Sequence, residues 1–176
     1  MAFLPEVPEE KAEGKLKDLF ASIRREFGTV PDFYRVQGIT PQAAGAQERV
    51  FANIMSDGAL SLKIKEQIAI VVSGLNTSSY CIALHMENLR TMGIEKKIGQ
   101  KLAVDYANAP VEPNVLALFR LADKLTRHPA DFSQADWEAG RAAGWSDLQL
   151  LEAVQVISAF NLANRISIGL GLMADF

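Results

Sequence analysis

The sequence is short of cysteine, histidine, net positive charge and long apolar runs, and each shortage narrows what the chain can be. With one cysteine there is no intramolecular disulfide. Cys81 is therefore a free thiol, a metal ligand, a nucleophile or a small buried hydrophobe. Its two histidines, His85 and His128, leave too few ligands for a structural zinc site, which commonly takes four Cys and His side chains. No metal and no cofactor are expected. The most apolar run, Ile68 to Leu75, falls far short of the ~20 residues a membrane helix needs. A formal charge of −3 provides no net field to attract phosphate backbones or anionic lipid, so neither nucleic acid nor a membrane is expected as a partner. At the start, MAFLPEVPEEKAEG has Pro and Glu where a signal peptide needs basic and then apolar residues. A cytoplasmic location is expected.

Apolar types make up 49% of the 176 residues against 22% charged, a balance that folds rather than staying disordered. That length suits one domain with its own core. The apolar spacing is helical almost throughout. Leu16, Leu19, Phe20, Ile23 and Phe27 recur at three and four, predicting a helix over 9–27 that Gly28 stops. Pro31 and Pro41 bracket a connecting stretch, after which Thr40 as N-cap and Pro41 as first residue predict a helix over 41–55. Leu60, Ile64, Ile68 and Val71 predict another over 61–75, apolar on nearly every side and so central, although IAIVV alone fits a strand equally. Asn76 to Ser79 form a cluster of N-cap types ahead of a helix that ends at Gly93. Further helices are expected over 94–106, 113–128 and 132–143, the latter capped by Ser133, and from Ser146 onward. No period-2 alternation appears. The expected fold is all-α, with about seven or eight helices and no sheet.

Cys81 and His85 lie four residues apart, on one face of a helix and about one turn (~5.4 Å) from each other. Cys81 also falls in the first turn, where the helix dipole favours a thiolate. Glu66 precedes this pair on the central helix; read alone, it would be an ordinary exposed charge in KIKEQ. Ser78 and Ser79 are expected as helix caps. Tyr80 is expected as packing or as a substrate-positioning side chain, and His128 as a helix-end residue. Arg165, with Asn161 and Asn164 in an otherwise apolar last helix, is expected to pair with a carboxylate of the same subunit or of a neighbour rather than to bind substrate.

The spacing from Glu66 through Ser78-Ser79-Tyr80-Cys81 to His85 resembles the core of the alkylhydroperoxidase AhpD and carboxymuconolactone decarboxylase family. There a helical glutamate precedes a Cys-x-x-Cys-x-x-x-His motif by this interval. GTVPDFYRVQGITPQ and AGWSDLQLLEAVQVISAFNLANRISIGLGL extend the likeness to its single-core, peroxidase-related branch. The resemblance implies a single AhpD-like domain over 1–176. Within it lie an N-terminal extension (1–30), a core with the motif (41–106) and C-terminal helices (112–176). It also implies that Cys81 attacks a peroxide while Glu66 and His85 relay the proton, with Ser78 and Tyr80 in supporting places. Ser78 stands where the family has its resolving cysteine, and a serine cannot close that disulfide.

The function expected first is a one-cysteine thiol peroxidase, whose partners are a small hydroperoxide and an external thiol reductant. The alternatives are acid-base chemistry on a small lactone or keto acid through Glu66 and His85, as in the decarboxylase branch, and a non-catalytic oligomeric scaffold. Apolar helices such as IAIVVSGL and AVQVISAF exceed what a small bundle hides, which points to a homo-oligomer. Family resemblance implies a dimer, trimer or hexamer.

Overall fold

Side-chain caps open three of the nine helices in this chain, whose computed structural model describes residues 2–174. Helix α1 (Gly14–Phe27) follows a single 3₁₀ turn at Glu9–Lys11 and ends where Gly28 takes a left-handed φ of 76°. Next come α2 (Asp32–Gln37), α3 (Pro41–Ile54), α4 (Leu62–Leu75), α5 (Ser79–Thr91) and α6 (Lys96–Asp105). The chain continues with α7 (Pro113–Arg127), α8 (Gln134–Ala142) and α9 (Asp147–Gly169). Ser61 caps α4 by accepting from the Ile64 N–H, and capping boxes open α8 (Ser133 with Asp136) and α9 (Ser146 with Gln149). The fold is all-α, with nine helices and no strand among the described residues.

Three local expectations are corrected. The stretch after Pro31 is the short helix α2, which buries Phe33, Tyr34 and Val36; six residues are too few for a period to show. Thr40 precedes α3 but turns its hydroxyl back to the Gln37 carbonyl, 3.2 Å away, which also accepts the Thr40 N–H at 2.9 Å where α2 ends. Asn76 closes α4 rather than opening α5, and Thr77 reverses the chain at a φ of 58°. A β-branched residue at that φ is strained, and the strain sits directly before the segment that carries Cys81.

Helix α4 is the axis of the molecule. Residues 65–73 are buried without a break, with α5, α6, α7 and α9 packed around them. That settles IAIVV as helix: its apolar surface is used on every side, not on two alternating faces. A Cβ at Gly74 would lie 1.9 Å from the Ala103 carbonyl oxygen, so the absence of a side chain lets α6 approach. No helix among the described residues is long and apolar enough to cross a membrane.

Burying the start of α4 also buries Lys65, at 3% exposure, and the ammonium is satisfied across the bundle. Its Nζ donates to the Ser56 carbonyl at 2.7 Å and lies 3.0 Å from Glu152 Oε2 on α9. The same carboxylate accepts the backbone N–H groups of Ala59 and Leu60, both at 2.9 Å, pinning the turn before α4. Burial pushes the Glu152 carboxyl up, but these N–H donors and Lys65 outweigh it and hold it below its ordinary 4.5. Glu152→Ala leaves Lys65 buried without its counter-charge and should cost about 3 kcal/mol in denaturant unfolding at neutral pH. Because the folded-state value is depressed, this stabilisation is complete above the unfolded value near 4.5 and fades as pH falls through the folded one. The gap between variant and wild type should therefore narrow in acid; a gap independent of pH would contradict the assignment.

Candidate active site

Helices α4 and α5 cross so that their polar side chains meet inside the protein. Glu66 and His85 are 4% and 6% exposed, and each would be costly to bury alone. The His85 Nδ1–H donates to Glu66 Oε2 at 2.6 Å, and the second carboxylate oxygen accepts from Asn88 Nδ2 at 3.1 Å. A carboxylate on Nδ1 orients the ring and leaves Nε2 as the nitrogen available for proton exchange. The Phe160 ring of α9 makes a T-shaped contact with the His85 ring at 88°, with centroids 4.5 Å apart, so the imidazole is held on two sides.

Cys81 is the third residue of α5 and is 3% exposed. Its Sγ lies 3.5 Å from Ser167 Oγ of α9. Ser78 Oγ lies 2.8 Å from that same hydroxyl, which itself donates to the Asn164 carbonyl at 3.0 Å. Among the described residues Cys81 and His85 share no direct hydrogen bond. Both line one cavity of about 470 Å³ together with Glu66 and Tyr80, a volume within the range of small-molecule sites. Aromatic rings form much of its wall: Phe27, Phe33, Tyr34, Phe51 and Phe160. Among the described residues, the charged lining side chains are Glu48 and Glu66, with no lysine or arginine.

The structure thus brings Glu66, Tyr80, Cys81 and His85 to one cavity. Tyr80 is 2% exposed and stacks on Phe33 with centroids 6.3 Å apart, and its hydroxyl accepts the Phe33 N–H at 3.4 Å. Ser78 occupies the N-cap position of α5, but its side chain makes no cap bond and turns to Ser167, while Ser79 is exposed. His128 is exposed at the end of α7. Within the chain, no carboxylate pairs with Arg165 among the described residues, so the same-subunit ion pair is corrected. The Arg165 Nη1 donates instead to the carbonyl and side-chain oxygens of Asn161, both at 2.8 Å, because the side chain faces outward along α9.

Asn88 and Ser167 escaped the sequence reading. Asn88 follows His85 by three residues, on the same helix face, and that spacing could have suggested a shared partner. Ser167 follows Asn164 by three within an apolar helix and prolongs the polar face already visible at Asn161 and Asn164. Among the described residues, no group of three or more His, Cys, Asp or Glu side chains is placed to hold a metal.

With this geometry in hand, the likenesses to known proteins can be placed. Residues 41–123 match the carboxymuconolactone decarboxylase family. No curated protein matches the chain. Among solved structures, a peroxidase-related protein from Ralstonia eutropha JMP134, described as an alkylhydroperoxidase AhpD core, superposes with a TM-score of 0.91. Identity is 22%, over 99% of this chain and 92% of that one. A peroxidase-related protein from Silicibacter sp. TM1040 has a TM-score of 0.83 and 26% identity over 95% and 85% of the two chains. The debrominase Bmp8 in complex with 2,3,4-tribromopyrrole also reaches 0.83, at 16% identity over 98% and 91%. At 22% and 16% identity, the first and third of these speak to the fold alone.

Replacing Glu66 strands two donors, the buried His85 Nδ1–H and the half-buried Asn88 Nδ2. Glu66→Leu should lower stability by about 2 kcal/mol in chemical denaturation, the scale of an unsatisfied buried polar group. A variant as stable as wild type would show that the carboxylate is not needed to satisfy them.

Proposed function

The chain belongs, through residues 41–123, to the carboxymuconolactone decarboxylase family, and from that premise we propose that it is a one-cysteine thiol peroxidase acting on a small organic hydroperoxide. The observation that carries this reading is the buried Glu66–His85 hydrogen bond opening on the same cavity as Cys81. A thiol needs a base to ionise it, and a leaving alkoxide needs an acid. One imidazole with Nδ1 held by a carboxylate can serve as both.

The cycle balances with the groups present. His85 Nε2 takes the Cys81 proton, directly or through one water, and Glu66 stabilises the imidazolium. The thiolate attacks the terminal peroxide oxygen; an S–O bond forms as the O–O bond breaks, sulfur is oxidised by two electrons and the peroxide is reduced. The alkoxide leaves with the bonding pair and takes the proton from His85 Nε2 as an alcohol. Cys81 is left as a sulfenic acid. Ser78 cannot resolve it, so an external thiol condenses with it to a mixed disulfide and water, and a second thiol releases Cys81.

The aromatic wall suits a hydroperoxide with an apolar body. Among the described residues the lining has two carboxylates and no lysine or arginine, which disfavours a keto acid or other anionic substrate and weighs against the decarboxylase reading. The same aromatic wall suits a halogenated aromatic ring as a second class of occupant, the kind of ligand held in the debrominase structure. Exposed Leu148, Leu151, Leu162 and Ile168 along α9 favour a homo-oligomer, which we place in the cytoplasm. Size-exclusion chromatography should then give a mass above the 19.3 kDa monomer; elution as a monomer would count against it.

Turnover of cumene hydroperoxide with an external thiol tests the reading. Cys81→Ala should abolish it, and His85→Ala should slow it at least a hundredfold, the usual scale of general acid-base assistance. Retention of an activity in Cys81→Ala that His85→Ala loses would transfer the chemistry to the acid-base reading. Indifference to both substitutions would leave a scaffold.

A further inference from the structure

Ser167 is 1% exposed and holds the centre of a three-way junction: Cys81 Sγ at 3.5 Å, Ser78 Oγ at 2.8 Å and the Asn164 carbonyl oxygen at 3.0 Å. A hydroxyl has one proton to give and two lone pairs to accept with. The carbonyl can only accept. While Cys81 is a thiol, Ser167 therefore donates to Asn164 and receives hydrogens from Ser78 and from the thiol, and every group is paired. Once the sulfur ionises it too can only accept. Rotation about one C–O bond then turns the Ser167 proton from the carbonyl to the sulfur. No heavy atom moves, Ser78 still donates to Ser167, and the Asn164 carbonyl keeps the ladder N–H of α9.

We propose that Ser167 is a positioning residue for Cys81: its hydroxyl is the donor that holds the sulfur as a thiolate, with Ser78 as the second link in the chain. The proposal rests on the reading of Cys81 as a thiolate nucleophile. Two features support it. His85 makes no direct hydrogen bond to the sulfur among the described residues, which leaves Ser167 as the side chain that does. The register of α9 is also fixed for the purpose: Asn164 Nδ2 donates to Ser73 Oγ and Asn76 Nδ2 to both Asn161 and Asn164, each bond at 3.0 Å. Ser78 thus has work in a chain where it cannot form a disulfide, because a donor feeding a donor strengthens the last bond of the chain.

Among the described residues, the titratable groups around the cavity are Tyr34 of α2, Glu48 of α3, Glu66 of α4, and Tyr80 and His85 of α5; α9 contributes none. A change on α9 therefore alters the environment of the sulfur without removing any of these charges. The test is the rate of Cys81 alkylation by iodoacetamide as a function of pH in wild type, Ser167→Ala, Ser167→Thr and Ser78→Ala, with melting curves as a check on folding. Ser167→Ala should move the midpoint of the profile up by about one pH unit and slow alkylation at neutral pH about tenfold, the scale of one hydrogen bond to a charged group. Ser78→Ala should slow it two- to threefold by the same route, and Ser167→Thr, which keeps the hydroxyl, should restore most of the rate. A Ser167→Ala profile that coincides with wild type, or one uniformly slowed with its midpoint unmoved, would overturn the proposal, since packing alone changes access and not ionisation. Alkylation needs no peroxide, so a Cys81 that ignores hydroperoxides but responds to Ser167→Ala would sink the peroxidase reading and keep this one.

Discussion

A carboxyl group on a helix without an exposed face has to find its partners inside the protein, and Glu66 imposes that condition on everything around it. Helix α4 is buried from Lys65 to Ser73, so the Glu66 oxygens are paired by neighbours or not at all. Both partners, His85 and Asn88, come from α5 at a spacing of three, which sets the rotation of α5 against α4. With His85 turned inward, Cys81 one turn earlier faces the same side. Lys65, the next residue back along α4, looks the other way, to Glu152 and Ser56. Two adjacent buried charges of opposite sign thus anchor α4 to two different elements.

Helix α9 closes the arrangement from the far side. It brings Phe160 against the imidazole, Ser167 against the sulfur, and the amides of Asn161 and Asn164 to satisfy polar groups at the end of α4. These polar contacts cost more to leave unmade than they return when made, so they select one register of α9 over its neighbours. The apolar rings then form a wall around a small polar floor. A hydroperoxide with an apolar body suits such a cavity, and the acid-base pair lies where its oxygen–oxygen bond would come.

Much of the fold could be read from the chain because helix ends are local events. Gly28, Ser61, Ser133 and Ser146 act within one turn of themselves, and their roles depend on nothing distant. Asn76 and Ser78 carry the same residue types but answer to partners in other elements, which no local pattern reveals, while Thr40 turns back to Gln37 three residues earlier. The short helix α2 is held by its buried ring contacts more than by its own periodicity. Cys81 and His85 stood out because a spacing of four shares a helix face. Glu66 was visible only through its interval in a familiar motif, and its burial is a tertiary fact. Asn88 and Ser167 were missed because each matters through a bond to a different helix.

The central claim is that the Cys81 sulfur, served by His85 and Glu66, is the atom that a hydroperoxide oxidises. The most direct measurement is intact-protein and peptide mass spectrometry after one equivalent of cumene hydroperoxide, with a dimedone-type trap for sulfenic acid. The account predicts a single trapped adduct on Cys81, lost on reduction before trapping and suppressed in His85→Ala. A protein that consumes the peroxide with no modification at Cys81, or that leaves both the peroxide and Cys81 untouched, would contradict it.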